Sequence, residues 1–319
     1  MAGPRKPKFR LLEDERWLAF ALLFPTAVLL GLFIAYPFGK GIWLSLTDTR
    51  VGVPGEFVGL KNYYKIWNDS IFRTAVWNTC WYTVVTTVFK LILGLWLALL
   101  LNRSFRGKAY IRAFVLLPFI IPTVLSTFAW KWMFDPTFSV LNWGLLQVCN
   151  WKVSVLGLFG WVSSGPACVV TSRINWLSDP NLALMSVMIV NVWRGVPFYA
   201  ISLLAGLQTI SPELNEAAAI DGAKPWQRFV HVTWPLLLPV TMVVTLFSVI
   251  QTFADFQLVY VLTGGGPANA THVFATYAYQ LGVGTGLLSE GAAISLAIFP
   301  LLFIIVLIQL IYIRRVETR

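Results

Sequence analysis

Six long apolar runs alternate with polar segments along the chain, at about residues 17–38, 74–101, 112–134, 182–206, 235–262 and 290–313. About 20 apolar helical residues cross a bilayer core of about 30 Å, so each run is long enough to span it. The pattern predicts an all-α integral membrane protein with six core spans. Pro25, Pro118, Pro122 and Pro300 fall inside the runs. Membrane helices tolerate such residues when neighbours satisfy the freed backbone groups. The second run holds Lys90 and the fourth holds Arg194, so neither is a rod that faces lipid all round. Lys90 and Lys131 are expected to extend their amines to the interface along apolar stems. The first run is longer than the 7–15 residues of a signal-peptide core and lacks an A-x-A-like site after it, so it reads as a retained helix.

The polar segments differ from one another. Residues 135–180 are long for a connector. Their middle, VLGLFGWVSSGPACVV, is apolar but broken by Gly157, Gly160, Gly165 and Pro166. A seventh span is one reading of it; a surface subdomain or hairpin resting on the membrane is the preferred one. Residues 263–288 open with LTGGGPANAT, whose Gly264, Gly265, Gly266 and Pro267 predict a non-helical turn. No GK[ST] follows those glycines, so they are not a nucleotide-binding loop of the Walker type.

Residues 210–233 and the start of the next apolar run carry the segment ELNEAAAIDGAKPWQRFVHVTWPLLLP, Glu213 to Pro239. Ser211 and Pro212 make a helix start, with Glu213 in the first turn. Glu213 to Ile220 should be helical, and Gly222 can take the left-handed cap that ends it. A second short helix is expected from Pro225 to Val232, with Trp226, Phe229 and Val230 on one face. Pro235 and Pro239 then mark re-entry into the bilayer. Two readings stay open on the residues alone: an interfacial helix in an ordinary loop, or a surface for a partner that fits against small alanines.

Composition supports the membrane assignment. The chain is 57% hydrophobic and only 12% charged, about half the roughly 25% of soluble chains. Lys and Arg are unevenly placed: fourteen lie in the N-terminal tail, 102–112, 210–233 and the C-terminus, against six in 39–70, 135–180 and 263–288. The positive-inside rule then places both termini and the 210–233 loop in the cytoplasm. The net charge of +10 is a topology signal spread over four segments, and nucleic acid is excluded as a partner class on that ground. The expected organisation is a tail at 1–16, the first span and an outside loop over 17–73, a core over 74–313, and a tail at 314–319.

Positive signs of catalysis are missing from the sequence. There is no G-x-S-x-G elbow and no H-E-x-x-H pair, and His231 and His272 are too far apart to suggest a metal site. Cys149 and Cys168 both fall in 135–180, where a disulfide and two free thiols are equally open. Within the spans, polar groups are costly and usually face a cavity or a partner. Gln251 and Asp255 are four apart, on one helical face, with Phe256 beside them. Trp193 and Arg194 form the other candidate group. A carboxylate and an amide suit sugar hydroxyls, and aromatic rings suit sugar C–H faces. The competing reading is that Asp255 bonds to a second subunit or to water, and that Arg194 serves an ion pair or interhelical packing.

Glu216-Ala217-Ala218, Asp221-Gly222-Ala223, Phe229 and Leu238-Pro239 resemble the EAA signature of ABC importer permeases. The segments RWLAFALLFPTAVLLGLFIAYPFGKGIWLSL, FVGLKNY, LPFIIPTVLSTFAWKWMFDP, INWLSDPNLAL, VWRGVPF and LTGGGPANAT extend the resemblance, which is to the carbohydrate, maltose-permease-like branch, along nearly the whole chain. The stretch from Cys149 to Arg173 departs from that pattern. The resemblance implies the type I importer permease fold in a bacterial plasma membrane. It implies a second homologous permease, two ATPase subunits that bind ATP and Mg, an extracytoplasmic solute-binding protein and a carbohydrate substrate, with no cofactor held by this chain. The segment with Glu216, Ala217, Ala218, Asp221, Gly222, Ala223 and Phe229 would be the coupling helix against an ATPase subunit. The loop of Gly264 to Pro267 would face the binding protein. The alternative functions are a secondary sugar carrier or channel acting alone, and a membrane-embedded enzyme.

Overall fold

The computed structural model describes residues 15–104, 106–148 and 173–317. Cys149, Cys168 and most of the departing stretch lie outside the described residues, as does the tail at 1–14. Among the described residues the protein is helical, with two isolated bridges, Thr47–Phe57 and Arg50–Val53, as its only extended pairing.

Five helices are long and apolar enough to cross a membrane: α1 (Trp17–Ser45), α3 (Ser70–Asn102), α6 (Pro180–Gln208), α8 (Pro225–Phe253) and α11 (Leu288–Glu317). Short helices lie between them: α2 (Lys61–Trp67), α4 (Lys108–Ile120), α5 (Thr123–Met133), α7 (Pro212–Ile220), α9 (Gln257–Leu262) and α10 (Phe274–Tyr279), and residues 140–148 are helical too. Local chemistry fixes the starts of the two central helices. Asp69 caps α3 by accepting from the Ile71 amide at 2.8 Å. Asp179 caps α6 by accepting from Asn181 and Leu182, with Pro180 in the first turn. Both are the expected use of a carboxylate on orphan amides.

The third apolar run is not one straight span. α4 and α5 meet at a bend of 90°. Ile121 is extended there, as the residue before a proline prefers, and Pro122 has no amide to continue the helix. Hydropathy registers LPFIIP as continuous because Pro and Ile do not interrupt an apolar run. The fifth run is divided as well: α8 stops at Phe253, Ala254 to Phe256 form a break, and α9 follows. The second short helix expected at Pro225 is the opening of α8, joined to it through a π turn at Phe229–Thr233 without interruption.

α3, α6 and α8 form the centre, with 33%, 44% and 39% of their apolar windows buried, whereas α1 has 0% and α11 6%. The outer helices are therefore mostly exposed, although α11 packs Ala293 and Ile294 into the core. α3 carries a buried stripe at helical spacing, Thr79, Thr83, Thr86, Lys90, Gly94 and Ala98, and meets α6 at Lys90 and Gly94. Small residues let the backbones approach, as in membrane helix pairs generally. The C-terminal ends of α3 and α6 gather with α7 at one end of the bundle. The loop after α9 lies at the other, where Asn78 near the start of α3 donates to the carbonyls of Ala270 and His272.

Candidate functional site

Two polar features stand out in this apolar frame. The first is the surface segment around α7. Ser211 occupies the N-cap position but makes no side-chain capping bond; the turn closes through backbone. At the other end the Ala223 amide donates to the Ala218 carbonyl at 2.9 Å and the Gly222 amide to Ala219 at 3.1 Å. That is the double bond of a Schellman cap, and it requires the left-handed φ of +81° that Gly222 adopts. The helix is held by backbone bonds, and its side chains are left outward. Glu213, Glu216, Ala217, Asp221 and Gly222 are exposed, and Ala218, Ala223 and Phe229 are half-buried. Ile220 is 88% exposed and Trp226 72%. Trp226 stacks on Phe229 with centroids 5.9 Å apart, which orients the joint. A cleft of about 610 Å³ opens beside it, bounded by Glu216, Arg228 and the ends of α3 and α6.

The second feature is buried. Lys90 on α3 is 3% exposed. Its Nζ donates to Asn191 Oδ1 at 2.9 Å and to Thr252 Oγ1 at 2.7 Å. The expectation that Lys90 reaches the interface is thus incorrect: neutral oxygens on α6 and α8 hold it inside. Gly195 makes this possible, because a Cβ there would lie 2.2 Å from Lys90 Cδ. Asp255 lies in the break after α8, not on a helical face shared with Gln251. Its Oδ2 accepts from Tyr82 at 2.9 Å, Asn191 at 3.0 Å and Arg194 at 3.2 Å. Arg194 also donates through Nη1 to Thr123 on α5 at 2.7 Å. One carboxylate thereby joins α3, α6 and the α8–α9 break, and Arg194 adds α5. Burying charges at this depth is costly unless they are paired and fully bonded, which is how Asp255 is held.

A cavity of about 280 Å³ opens beside this cluster. Lys90, Asn191, Arg194, Gln251 and Thr252 form its polar side. Phe119, Phe198 and Phe247 form the other, with ring centroids 5.7 Å and 5.3 Å apart along the row. Ammonium, guanidinium and amide groups donate to oxygens, while the rings offer apolar faces.

The residues singled out in the sequence fall into different places. Gln251 and Arg194 line the cavity; Asp255 lies behind its wall and anchors Arg194. Trp193 turns to an apolar groove of about 720 Å³ and meets Trp130 edge-on at 5.4 Å. Phe256 packs between Tyr260 and Tyr279, with centroids at 5.0 and 5.1 Å. Lys90, Asn191 and Thr123 belong to the site but were not among the sequence candidates, and Thr252, a polar group of the fifth run beside Gln251, joins them. The signal that could have found them is charge: two basic residues inside spans, with Asp255 as the acid at their depth.

The loop after α9 is folded against the bundle. Gly264 and Gly265 take positive φ, and the Gly266–Pro267 bond is cis. Thr271 ties the turn by donating to the Gly266 carbonyl at 2.6 Å and to Thr263 at 2.8 Å. His272 packs under Gly265, fully buried, with Nδ1 3.1 Å from Thr276 Oγ1. Burial lowers its pKa from the ordinary 6.5, opposed by a hydrogen bond with Gln280. The described residues hold no group of three His, Cys, Asp or Glu that could bind a metal ion.

The model of the family described as binding-protein-dependent transport system inner membrane component matches residues 90–318. The trehalose/maltose transport system permease protein MalF of Thermococcus litoralis is 34% identical, over 94% of this chain and 95% of its own. The sulfoquinovosyl glycerol transport system permease protein SmoG of Agrobacterium fabrum is 34% identical, over 96% and 92%. The trehalose transport system permease protein SugA of Mycobacterium tuberculosis is 35% identical, over 92% and 88%. Among solved structures, a chain of a bacterial ABC transporter involved in the import of the acidic polysaccharide alginate superposes with a TM-score of 0.76. It is 23% identical, over 96% of this chain and 99% of that one, a likeness of fold.

Proposed function

Because the chain belongs to the family of binding-protein-dependent transport system inner membrane components, and is thus a multi-pass permease subunit of an ABC transporter, we propose that it forms one half of an ATP-driven path for a saccharide. The other half is a second, homologous permease. Six spans are counted when α4 and α5 act as one broken span. Both termini and α7 face the cytoplasm of a bacterial plasma membrane, as the Lys and Arg bias supports. Two ATPase subunits bind ATP and Mg there, and this chain carries no catalytic residue and no cofactor. A solute-binding protein delivers the substrate to the opposite face, where the loop of Gly264 to Pro267 lies.

The observation that carries the saccharide reading is the cavity with donors on one side and a row of three phenyl rings on the other. Sugars present hydroxyls and C–H faces together, and such a wall meets both. The relatives MalF, SmoG and SugA bear the names of saccharide or glycoside carriers, which supports the same class. The coupling reading rests on α7. Its side chains are outward, its end is fixed by Gly222, and Ile220 and Trp226 offer apolar surface to a cleft in the ATPase. Alanine at 217 and 218 keeps that contact close. ATP and substrate would then bias one two-state equilibrium between inward- and outward-open forms.

Uptake into vesicles tests this. Import of a labelled saccharide should require the ATPase subunits and ATP. Persistent uptake without either would establish a carrier acting alone. Gly222→Asp and Glu216→Lys should abolish ATPase-subunit binding or coupling while leaving insertion intact; unchanged coupling in both removes α7 from that role.

A further inference from the structure

By formal count among the described residues, the cavity beside α3, α6 and α8 has one more cationic side chain than anionic. Arg194 is paired with Asp255 at 3.2 Å. Asp255 Oδ2 is already shared by Tyr82, Asn191 and Arg194. Lys90 is as buried as Asp255, yet its hydrogen bonds go to the neutral oxygens of Asn191 and Thr252, and no carboxylate pairs with it among the described residues. Two cations and one anion leave a formal +1. A buried ammonium is costly unless an anion meets it. Both cations are also fixed in place. Gly195 leaves room for the Lys90 stem, and Thr123 with Asp255 holds the guanidinium plane. Lys90 has three donors and Arg194 five, so both keep donors beyond the bonds named. Both line the cavity, opposite Phe198 and Phe247.

We infer that the cavity selects an acidic saccharide: a sugar ring whose carboxylate or sulfonate meets Lys90 and Arg194 while its C–H face packs on the phenyl row. The inference rests on the saccharide-path reading and narrows it to a charge class. The ligand supplies the counter-charge that the described residues do not place beside Lys90, and Lys90 is its specificity-determining residue. A cavity of about 280 Å³ is just below the ~300–1,000 Å³ of ligand pockets, so this subunit holds about one ring.

The test uses the complete transporter, both permeases with the ATPases, purified in detergent. Equilibrium dialysis measures a glucuronic-acid-bearing disaccharide, a sulfonated-glucose glycoside, and a neutral glucose disaccharide. The acidic ligands should bind tighter than the neutral one by about tenfold or more, the scale of one hydrogen bond to a charged group. Lys90→Gln should erase that preference and Lys90→Arg should keep most of it. The carboxylate and sulfonate arms tell which acid fits. The inference is overturned if the neutral disaccharide binds equally well, if no acidic ligand binds, or if Lys90→Gln leaves the preference intact. If Lys90→Gln does not insert, the wild-type ranking decides. An anionic side chain from the second permease would appear as equal binding. ATP-dependent uptake of any saccharide by the same preparation keeps the transport reading standing when the charge preference fails; absence of all such uptake removes both.

Discussion

Asp255 and Glu216 are both carboxylates in a chain that is 57% hydrophobic, and their surroundings are opposite. Asp255 is 6% exposed and accepts from Tyr82, Asn191 and Arg194, groups that come from two separate helices. Glu216 is exposed on α7, with no ion pair among the described residues. The first is fixed by its neighbours, and the second is left open beside a cleft. The contrast separates two uses of polarity in a membrane protein. Inside, polar groups are satisfied by one another because the bilayer offers nothing else. At the surface they remain unsatisfied by the chain and available to another molecule.

Substitutions sharpen this difference. Asp255→Ala should cost the most, about 3–5 kcal/mol in thermal unfolding of the purified subunit, because it leaves Arg194 without its counter-ion. The double variant Asp255→Ala, Arg194→Met should recover much of the loss; no recovery would mean that the pair is not the unit of stability. Gly195→Val should cost about 1–3 kcal/mol by overpacking against Lys90. Gly222→Ala breaks the other region by conformation alone, since nothing lies within 4 Å of a Cβ there. With φ at +81°, the expected cost is about 1 kcal/mol. Glu216→Lys should change stability by less than about 0.5 kcal/mol, as for surface positions generally, while ATP-driven uptake is lost. A large stability loss there would make α7 a structural element.

The smallest effect concerns His272, which belongs to neither region but shares the burial of the first. Its pKa is lowered in the folded protein, so the unfolded chain binds a proton more readily. Its contribution is complete above the unfolded value of 6.5 and is lost as the pH falls below it. Urea unfolding between pH 7.5 and pH 5 should show this slope in the wild type and a shallower one in His272→Gln; equal slopes would show that His272 takes no part.

The surface region was legible in the sequence because it is contiguous. Pro212, the alanines and Gly222 each act on the backbone within a turn or two, and α7 falls at Pro212–Ile220 as those signals require. The spans were legible for the same reason: length and apolarity are local. The buried cluster is assembled from Tyr82, Lys90, Thr123, Asn191, Arg194, Thr252 and Asp255, up to 173 residues apart in the Tyr82–Asp255 pair. Periodicity contains no record of which helices meet. Lys90 shows this most clearly. An isolated lysine in an apolar run reads as snorkelling, and only the gap left by Gly195 on another helix reveals that it turns inward. The break at Ala254 was hidden because QTFADFQ keeps its apolar spacing across the end of the helix.

α8 runs from Pro225 to Phe253 as a single helix of 29 residues. At 1.5 Å per residue that is a rod about 43 Å long. Its near end adjoins the joint at Gly222, and its far end carries Thr252 and leads directly into Asp255. Mechanically it is a lever. A tilt of about 5° at the near end sweeps the far end through about 4 Å. Hydrogen bonds of about 3 Å do not survive a displacement of that size. A rocking motion started at the exposed joint would therefore arrive at the centre as exchanged partners for Lys90 and Arg194.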